Sequence, residues 1–261
     1  MNKNIIKTDN EIALMRESGK LLAQVFHMLD TFICEGMTTL EIDQQVEHYI
    51  TTKLNARPAS KGQYDYQFSL NSSVNDVVCH GIPNNHYRLK ARDIVNIDIT
   101  LEKNGFISDS SKMYTFSNTS AEAKRLVKTT YDAMWKGIYA VKPGATLGDI
   151  GYQIQQYAET AGYSVVREYC GHGIGREMHE EPQVLHFGKP STGLVLEPGM
   201  TFTIEPMINQ GSHKVKNKKD GWTVVTKDKK LSAQWEHTVL VTQTGVEVLT
   251  IRDDETISRL N

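Results

Sequence analysis

The chain has 261 residues, of which 39% are hydrophobic and 23% are charged, a composition typical of globular proteins that excludes disordered, collagen-like and coiled-coil chains. Its length fits one large mixed α/β domain or two smaller domains. The net charge is −2, from 29 Lys and Arg against 31 Asp and Glu, so no overall field attracts DNA or an anionic membrane.

The first predicted element is an amphipathic helix near the N-terminus. Apolar residues within 12–29 recur at alternating steps of three and four, which places them on one helix face. After a break at 34–36, Thr38 and Glu41 form a capping box. The box predicts a second helix that runs to about Leu54.

A similar plan returns in the second half, where 121–141 reads as a helix followed by another cap. Four residues match at a constant offset of 108 residues: Gly36, Thr38, Glu41 and Ile42 correspond to Gly144, Thr146, Asp149 and Ile150. Turn and cap chemistry also produces such short matches by chance, so this pattern alone leaves a duplication open. Because no Ser/Pro-rich linker is present, we favour one domain at 1–261 built from two similar halves, at about 10–118 and 119–250.

A hairpin is the clearest strand signal. Asn104 and Gly105 are the strongest short turn sequence, and they separate apolar runs at 94–101 and 106–116. Three more strands are predicted later in the chain, at 194–197, 201–205 and 235–241. Helices combined with an antiparallel hairpin and further strands indicate the α+β class.

Acidic residues inside this hairpin are unusual, because charge is depleted from buried sheet. With Asn104 and Gly105 as a two-residue turn, Thr100 faces Asp109 and Asp98 faces Ser111. Asp98 and Asp109 then lie diagonally on one face, about 7–8 Å apart at the backbone. The two carboxylates either converge on one site or simply face solvent.

Three more residues extend this set. Glu205 and Glu236 lie at strand ends, and glycines bracket His172; each alone also fits an exposed strand end or a flexible loop. With Asp98 and Asp109 they supply four carboxylates and one imidazole, enough charge to balance two divalent ions. Such an oxygen-rich set suits Mn, Fe or Co. Two metals about 3.5–4 Å apart activate hydroxide and polarise a carbonyl, which is hydrolytic chemistry.

The motifs that carry this constellation resemble those of the type I methionine aminopeptidases of the bacterial short form, which belong to the pita-bread dinuclear metallopeptidases. Seven motifs occur in family order, at 78–83, 95–98, 108–110, 171–175, 179–182, 203–206 and 234–238. The resemblance covers nearly the whole chain. It implies a pita-bread fold of two pseudo-twofold-related halves, with an antiparallel sheet and outer helices, which also accounts for the repeat.

The resemblance implies hydrolytic removal of the initiator methionine from nascent proteins and peptides with a small second residue. It makes Asp98, Asp109, His172, Glu205 and Glu236 the ligands of two divalent ions, drawn from Co, Mn, Fe or Zn. A hydroxide activated by the metals attacks the carbonyl, and Glu205 carries the proton.

The family's catalytic and substrate-binding roles map onto further residues. His179 is expected to stabilise the oxyanion and His80 to contact the scissile amide. The methionine pocket maps to Tyr66, His80, Met178 and Trp222, with Gln63, Ser60 and Asn71 beside them.

The pocket is where the sequence departs from the family. The family often has tyrosine at the position of Gln63, cysteines at Ser60 and Asn71, and an aromatic residue at Met178. These differences put the shape and stringency of the pocket in question. Tyr64 replaces the missing tyrosine if the loop register shifts by one.

Length separates the subfamilies. Only 25 residues lie between His179 and Glu205, which leaves no room for the helical insertion of type II enzymes. The helical pattern begins by about residue 10, so we expect neither the N-terminal domain of prolidases nor a zinc-finger extension. Two alternatives stay open: a related peptidase that cleaves X-Pro bonds, and a nonenzymatic peptide-binding module.

Partners and location follow from charge, cysteines and family. Seven lysines against two aspartates occupy 211–230, which is either a solvated hairpin or a contact with ribosomal RNA. Three cysteines without metal-site spacing, and the lack of a signal peptide or apolar span, favour the cytoplasm. We expect a monomer that binds neither DNA nor membrane. By resemblance only, Asn75, Val77 and Ser232 hold a sodium or potassium ion.

Overall fold

The computed structural model describes residues 5–255; residues 1–4 and 256–261 of the expected domain lie outside this range. Four α-helices occur in the described chain: α1 (Asp9–Phe32), α2 (Thr39–His48), α3 (Ala121–Tyr139) and α4 (Leu147–Thr160). A π-helical turn, Tyr49–Lys53, continues α2, so the predicted helix to about Leu54 is confirmed. None of the described helices combines the length and apolar composition needed to span a membrane.

The residues matched at the 108-residue offset have the same local structure. Thr38 caps α2 and Thr146 caps α4, each in a capping box with the acidic residue three positions later. The preceding glycines, Gly36 and Gly144, both have left-handed backbone, with φ of 85° and 84°, a conformation that favours glycine. The local repeat is confirmed, whereas the division into two related halves stays a prediction.

The strands pair antiparallel throughout the described residues. In chain order they are β1 (Arg57–Pro58), β2 (Leu70–Val74), β3 (Val77–Cys79), β4 (Ile94–Lys103), β5 (Phe106–Thr115), β6 (Ser164–Val165), β7 (Gly171–Gly173), β8 (Glu180–Val184), β9 (Thr201–Ile204), β10 (Met207–Asn209), β11 (Val215–Asn217), β12 (Val224–Thr226), β13 (Ser232–Gln234), β14 (Glu236–Val241) and β15 (Val246–Val248). Nine of them form one sheet in the order β1-β4-β5-β14-β9-β7-β8, with β2 added on β4 and β15 on β14. Two smaller sheets, β13-β10-β6 and β11-β12-β3, complete the α+β fold.

The predicted hairpin is confirmed in both its turn and its register. β4 and β5 pair along their whole length, with Thr100 opposite Asp109 and Asp98 opposite Ser111. The left-handed φ values of Asn104 and Gly105, 54° and 77°, suit a tight hairpin turn.

The predicted strand at 194–197 is wrong. Val195 makes one isolated bridge to Thr146, and this residue is half exposed. Neighbouring backbone groups bind the loop before α4: the Leu147 N–H donates to the carbonyl of Leu194, and the Leu196 N–H donates to that of Ala145. The segment is extended because it pairs with a helix-capping loop, not with a sheet.

Each pair of helices covers its own part of the main sheet. One buried cluster joins Phe26, Leu29 and Ile42 of α1 and α2 to Ile97 and Ile99 of β4. A second cluster joins side chains of α3 and α4 to β9 and β14, among them Leu126, Ile138, Ile150, Ile154, Phe202 and Val239. Full burial of such a side chain contributes about 1.5–3 kcal/mol. The packed helices leave the opposite face of the central strands free to build a site.

Candidate metal centre

A cleft of about 590 Å³ lies over the central strands of the main sheet. All the residues predicted for the divalent-metal and substrate sites line it, together with Ser60 and Asn71: Gln63, Tyr66, His80, Asp98, Asp109, His172, Met178, His179, Glu205, Trp222 and Glu236. Of the described residues that line the cleft, none is a lysine or arginine. The cleft therefore gathers several acids without a protein cation on its walls.

Sheet register places three of the acids on one face. Thr100 pairs with Asp109, and Ser111 pairs with both Asp98 and Glu236. Because side chains alternate along a strand, residues two apart share a face. Asp98, Asp109 and Glu236 consequently project into the same cleft from three adjacent strands.

The ligand atoms of the cluster are close together. One atom each from Asp109, His172 and Glu236 lie within 4.8 Å of one another. The Nε2 atom of His172 is 3.7 Å from Asp109 Oδ2 and 3.5 Å from Glu205 Oε1. Asp98 and Asp109 lie on the same face of the paired strands β4 and β5, two register positions apart. All five predicted ligands thus converge on one small volume.

Glycines on both sides of His172 allow this convergence. A Cβ atom on Gly171 would overlap the carbonyl of Thr203, and one on Gly173 would overlap the carbonyl of Glu181. Strand β7 therefore lies unusually close to β8 and β9. The glycines serve the packing of strands here, not the flexibility of a loop.

The carboxyl groups are difficult to ionise without a cation. Burial raises the pKa of Asp109 and Glu236 well above the ordinary range, and neighbouring carboxylates raise it further. Burial also raises the pKa of Asp98, and that of Glu205 to about 8. A bound cation would stabilise the ionised carboxylates and so lower these raised pKa values.

His172 has the protonation state that a ligand needs. Burial, followed by the nearby His179, lowers its pKa to about 4, so the ring is neutral at pH 7. Its Nδ1 lies 3.0 Å from the carbonyl of Gly173. Donation from Nδ1 leaves the lone pair of Nε2 facing Asp109 and Glu205.

A divalent cation fits this donor set. Asp109 Oδ1 is buried and has no hydrogen-bond partner among the described residues. A buried polar atom is seldom left so. Four carboxylates and one neutral imidazole match the preference of hard or borderline divalent metals for oxygen with some nitrogen. The site can hold divalent ions and polarise a bound carbonyl.

Two further histidines lie beside the cluster without joining it. The ring of His179 is 4.5 Å from that of His172, on the exposed rim of the cleft. The ring of His80 packs edge-on against Tyr169 at 5.5 Å, and burial lowers the pKa of His80 to about 4. Both are placed to contact a substrate that reaches the carboxylates.

Aromatic and sulfur-containing residues form an apolar wall near the acids. The rings of Tyr66 and Trp222 are 4.8 Å apart, and the Tyr66 hydroxyl donates to the carbonyl of Leu70 at 2.9 Å. Met178 is buried at the same cleft. Such a wall suits an unbranched thioether side chain.

The loop before Tyr66 differs from the simplest sequence prediction. Gln63 lines the cleft, but the neighbouring Tyr64 stacks on His179, with centroids 6.2 Å apart and ring planes at 17°. Tyr64 has a left-handed φ of 48°, and its side chain also lines the cleft. Tyr64, one residue after the position where the family often has tyrosine, thus lies at the rim of the cleft.

Ser60 and Asn71 make polar contacts within the cleft. The Ser60 hydroxyl is 2.6 Å from that of Thr100. Asn71 donates from Nδ2 to Asp98 Oδ2 at 3.3 Å. The amide of Asn71 therefore supports one of the proposed ligands directly.

Sequence reasoning missed three residues that hold Glu205. Thr203 donates to Oε1 at 2.7 Å, and Gln234 donates from Nε2 to Oε2 at 3.3 Å. The buried Nε2 of His186 accepts the backbone N–H of Glu205 at 3.1 Å. Strand alternation points to Thr203, two residues before Glu205, whereas no local pattern singles out His186.

Of the residues proposed for a monovalent cation, Asn75 and Val77 line a cavity other than the acidic cleft. The Ser232 N–H donates to the carbonyl of Asn75 at 2.9 Å, and Val77 begins the adjacent strand β3. A sodium or potassium ion there stays a prediction.

The lysine-rich segment forms the β11–β12 hairpin and its flanks. All seven lysines are exposed: Lys214, Lys216, Lys218, Lys219, Lys227, Lys229 and Lys230. At the tip, Asp220 accepts from the N–H groups of Trp222 and Thr223 at 3.0 and 2.9 Å. The same hairpin therefore carries positive charge outside and a wall of the cleft inside.

Comparison with known sequences agrees with this geometry. The model of metallopeptidase family M24 matches residues 13–243. The methionine aminopeptidase of Salmonella typhimurium is 51% identical over 252 residues, which cover 97% of this chain and 96% of that one. The methionine aminopeptidase of Escherichia coli K12 is 49% identical over the same length and shares of the two chains.

Solved structures give the same result. The crystal structure of methionine aminopeptidase from Rickettsia prowazekii has a TM-score of 0.92 and 48% identity, and the match covers 94% of this chain and 99% of that one. The prolidase of Pyrococcus horikoshii is similar in fold alone, with a TM-score of 0.77 and 24% identity. That match covers 98% of this chain but 66% of the prolidase.

Proposed function

The chain belongs to metallopeptidase family M24, and we propose from this premise how its residues divide the work of an aminopeptidase. It has the pita-bread fold and is a metal-dependent exopeptidase that removes N-terminal methionine from peptides and nascent chains. The roles proposed for individual residues rest on the buried carboxylate cluster in a cleft without a protein cation.

We propose that Asp98, Asp109, His172, Glu205 and Glu236 hold two divalent ions of Co, Mn, Fe or Zn. When bound, these ions supply Lewis-acid polarisation of the scissile carbonyl and lower the pKa of water. The four carboxylates balance the charge of two such ions, and the neutral His172 adds one nitrogen donor. Metal analysis of protein purified without oxygen identifies the ions.

The proton is carried by Glu205 in this proposal. Thr203 and Gln234 each hold one of its oxygens, so its orientation is fixed during transfer. His179, 4.5 Å from His172 between ring centroids, is placed to stabilise the developing oxyanion. His80 contacts the scissile amide and, being neutral, donates from one ring nitrogen.

We propose that the methionine side chain packs against Tyr66, Met178 and Trp222, with Gln63 at the edge. The thioether then contacts aromatic faces, which is favourable by about 0.3–1.5 kcal/mol per contact. The free amine of the substrate lies toward the carboxylates, and the rest of the peptide leaves over the exposed rim.

A peptide assay tests the function. Metal-free protein supplied with Co(II) or Mn(II) should release methionine from Met-Ala-Ser, measured by chromatography. Cleavage of an X-Pro peptide instead would support the related peptidase, and inertness with every metal would support a binding module. The Asp9→Asn variant, at an exposed residue outside the cleft, is the matched control for cleft variants.

We also propose that the lysine-rich 211–230 segment contacts ribosomal RNA while the cleft receives a nascent chain. Its seven exposed lysines and the wall residue Trp222 belong to the same segment. Cosedimentation with ribosomes should weaken with salt and be lost when Lys216, Lys218 and Lys219 become glutamate. The same change at the exposed Lys20, Lys124 and Lys142 is the control. Salt-independent or absent binding rejects this proposal.

Two smaller proposals complete the assignment. We propose that Asn75, Val77 and Ser232 hold a sodium or potassium ion, which predicts that activity depends on the monovalent salt. We also propose that the protein is a monomer, which light scattering coupled to size-exclusion chromatography tests.

A further inference from the structure

The strands that carry two of the proposed ligands share few backbone contacts. β5 contributes Asp109 and β14 contributes Glu236, yet the two strands pair at only two register positions in the described chain. Beside Asp109 the hydroxyl of Thr238 takes the place of backbone hydrogen bonds between the strands. It accepts the Asp109 N–H at 3.1 Å and donates to the Asp109 carbonyl at 2.7 Å. Side chains therefore help to set the spacing of the two ligands.

A second hydroxyl links the same strands one residue further on. Ser110 donates from Oγ to the carbonyl of Glu236 at 2.7 Å. The same Oγ accepts from Arg252 Nη1 at 3.0 Å. The guanidinium thus reaches the backbone of a proposed ligand through a single hydroxyl.

Arg252 itself is held rigidly. Its side chain is 3% exposed, and Nη2 donates to Glu255 Oε1 at 2.9 Å. The centre of the guanidinium lies 5.3 Å from the ring of Phe26 and 5.4 Å from that of Trp235. A planar, permanently charged group stacked in this way has little freedom to move.

The chain before Arg252 contacts β14 as well. The hydroxyl of Thr250 accepts the N–H of Thr238 at 3.1 Å and lies 2.9 Å from Nδ1 of His237. The other ring nitrogen of His237 lies 3.1 Å from Glu255 Oε2. The same ring nitrogen lies 3.1 Å from Nη2 of Arg252, so His237 contacts both members of the Arg252–Glu255 ion pair. Residues 250–255 therefore brace the strands from the side opposite the cleft.

We propose that Arg252, fixed by Glu255, is a positioning residue that sets the separation of Asp109 and Glu236 for the metal ions. The proposal rests on the assignment of those two residues as ligands. Arg252 touches no substrate in this arrangement. It acts through Ser110 on the strand pair, and its loss leaves the five ligand side chains present but less well spaced.

The test is metal affinity in a variant that removes both charges together. Arg252→Met with Glu255→Gln keeps side-chain volume, and replacing a buried ion pair in this way is often neutral for stability. We expect calorimetric titration of the metal-free variant with Mn(II) to show affinity about 10- to 100-fold weaker than that of the unmodified protein. We expect its metal-free thermal midpoint to shift no more than that of the control.

The control is Arg16→Met with Glu247→Gln, the same residue types in a bidentate pair at 2.7 and 2.6 Å away from the cleft. Unchanged Mn(II) affinity in the Arg252 variant, or an equal loss in the control, overturns the proposal. If the Arg252 variant does not fold, Ser110→Ala decides, because it breaks the same link without touching the ion pair. An unmodified protein that binds no Mn(II) overturns the ligand assignment itself.

Discussion

Two buried clusters of ionisable residues lie on opposite faces of β14. They differ in whether the protein itself supplies a counter-charge for their buried carboxyl groups. The front cluster consists of the cleft carboxylates Asp98, Asp109, Glu205 and Glu236; the rear cluster consists of His237, Arg252 and Glu255. Glu236 and His237 are adjacent in the sequence, and strand alternation sends them to opposite sides. The strand thus separates a cluster of carboxyl groups that has no cation among them from a cluster that contains Arg252.

The pKa shifts of the two glutamates have opposite signs. Burial and then Asp109 raise the pKa of Glu236 well above its usual range. Burial acts in the same direction on Glu255, but His237 and Arg252 outweigh it and lower that pKa below its usual range. The rear cluster contains its own counter-charge, whereas the front cluster needs cations from solution.

Removing a front carboxylate should have the largest effect. Asp109→Asn weakens the metal site, and Lewis-acid stabilisation is worth several kcal/mol. At about 1.4 kcal/mol per tenfold, we expect kcat for methionine release to fall about 10³- to 10⁵-fold. Asp9→Asn, at an exposed residue outside the cleft, should keep normal turnover. Near-normal turnover and metal content in Asp109→Asn would show that Asp109 is not a ligand.

Neutralising one glutamate in each cluster should change stability in opposite directions. Glu255→Gln leaves Arg252 buried without its counter-charge, which should lower the free energy of unfolding by about 3–5 kcal/mol. Glu236→Gln removes an uncompensated charge and should raise it in metal-free protein at neutral pH. Urea unfolding with chelator present measures both.

The surface variant Glu247→Gln is the control for that pair, because its partner Arg16 is 42% exposed. Exposed pairs contribute at most about 1 kcal/mol. A Glu236→Gln protein less stable than the unmodified one would contradict the idea that the front cluster lacks counter-charge.

Half of the front cluster was predictable, because the placement of Asp98 and Asp109 is local. The turn at Asn104 and Gly105 fixes the register of β4 and β5, and a two-residue period then places Asp98 and Asp109 on one face. The spacing alone left open whether that face meets solvent. Convergence with His172 depended on family resemblance, because the strands that carry it meet only in the folded chain.

The rear cluster escaped sequence reasoning because nothing local marks it. Arg252 follows the last strand, and its contacts with Phe26 and Ser110 join residues 226 and 142 positions apart. The strand prediction at 194–197 was wrong for a related reason. An extended apolar segment can pair with a loop as well as with a strand, and the sequence does not show which of the two lies beside it. Long-range pairing is the information that a single sequence carries least.

Metal addition should stabilise the protein through the front cluster alone. A ligand at 100 times its dissociation constant adds about 2.7 kcal/mol to the free energy of unfolding. We expect this gain with Mn(II) in the unmodified protein and in the Glu247→Gln control. Glu236→Gln should gain much less at the same concentration. An equal gain in Glu236→Gln would place the metal elsewhere.

The pH dependence of stability should be the smallest effect, and it should differ in sign between the clusters. A raised pKa means that Glu236 contributes stability below the unfolded carboxyl value of about 4.3 and loses it as pH rises through the folded pKa. The advantage of metal-free Glu236→Gln over the unmodified protein should therefore grow as pH rises above about 4.3.

Glu255 should behave in the opposite way. Its lowered pKa contributes stability above about pH 4.3, which is lost as pH falls through the folded pKa, so the deficit of Glu255→Gln should shrink in acid. Neither slope exceeds about 1.4 kcal/mol per pH unit for one group. Urea unfolding from acid to neutral pH, always as a difference from the unmodified protein, cancels the buried histidines common to both. Parallel slopes for the two variants would mean that Glu236, like Glu255, has its counter-charge within the protein.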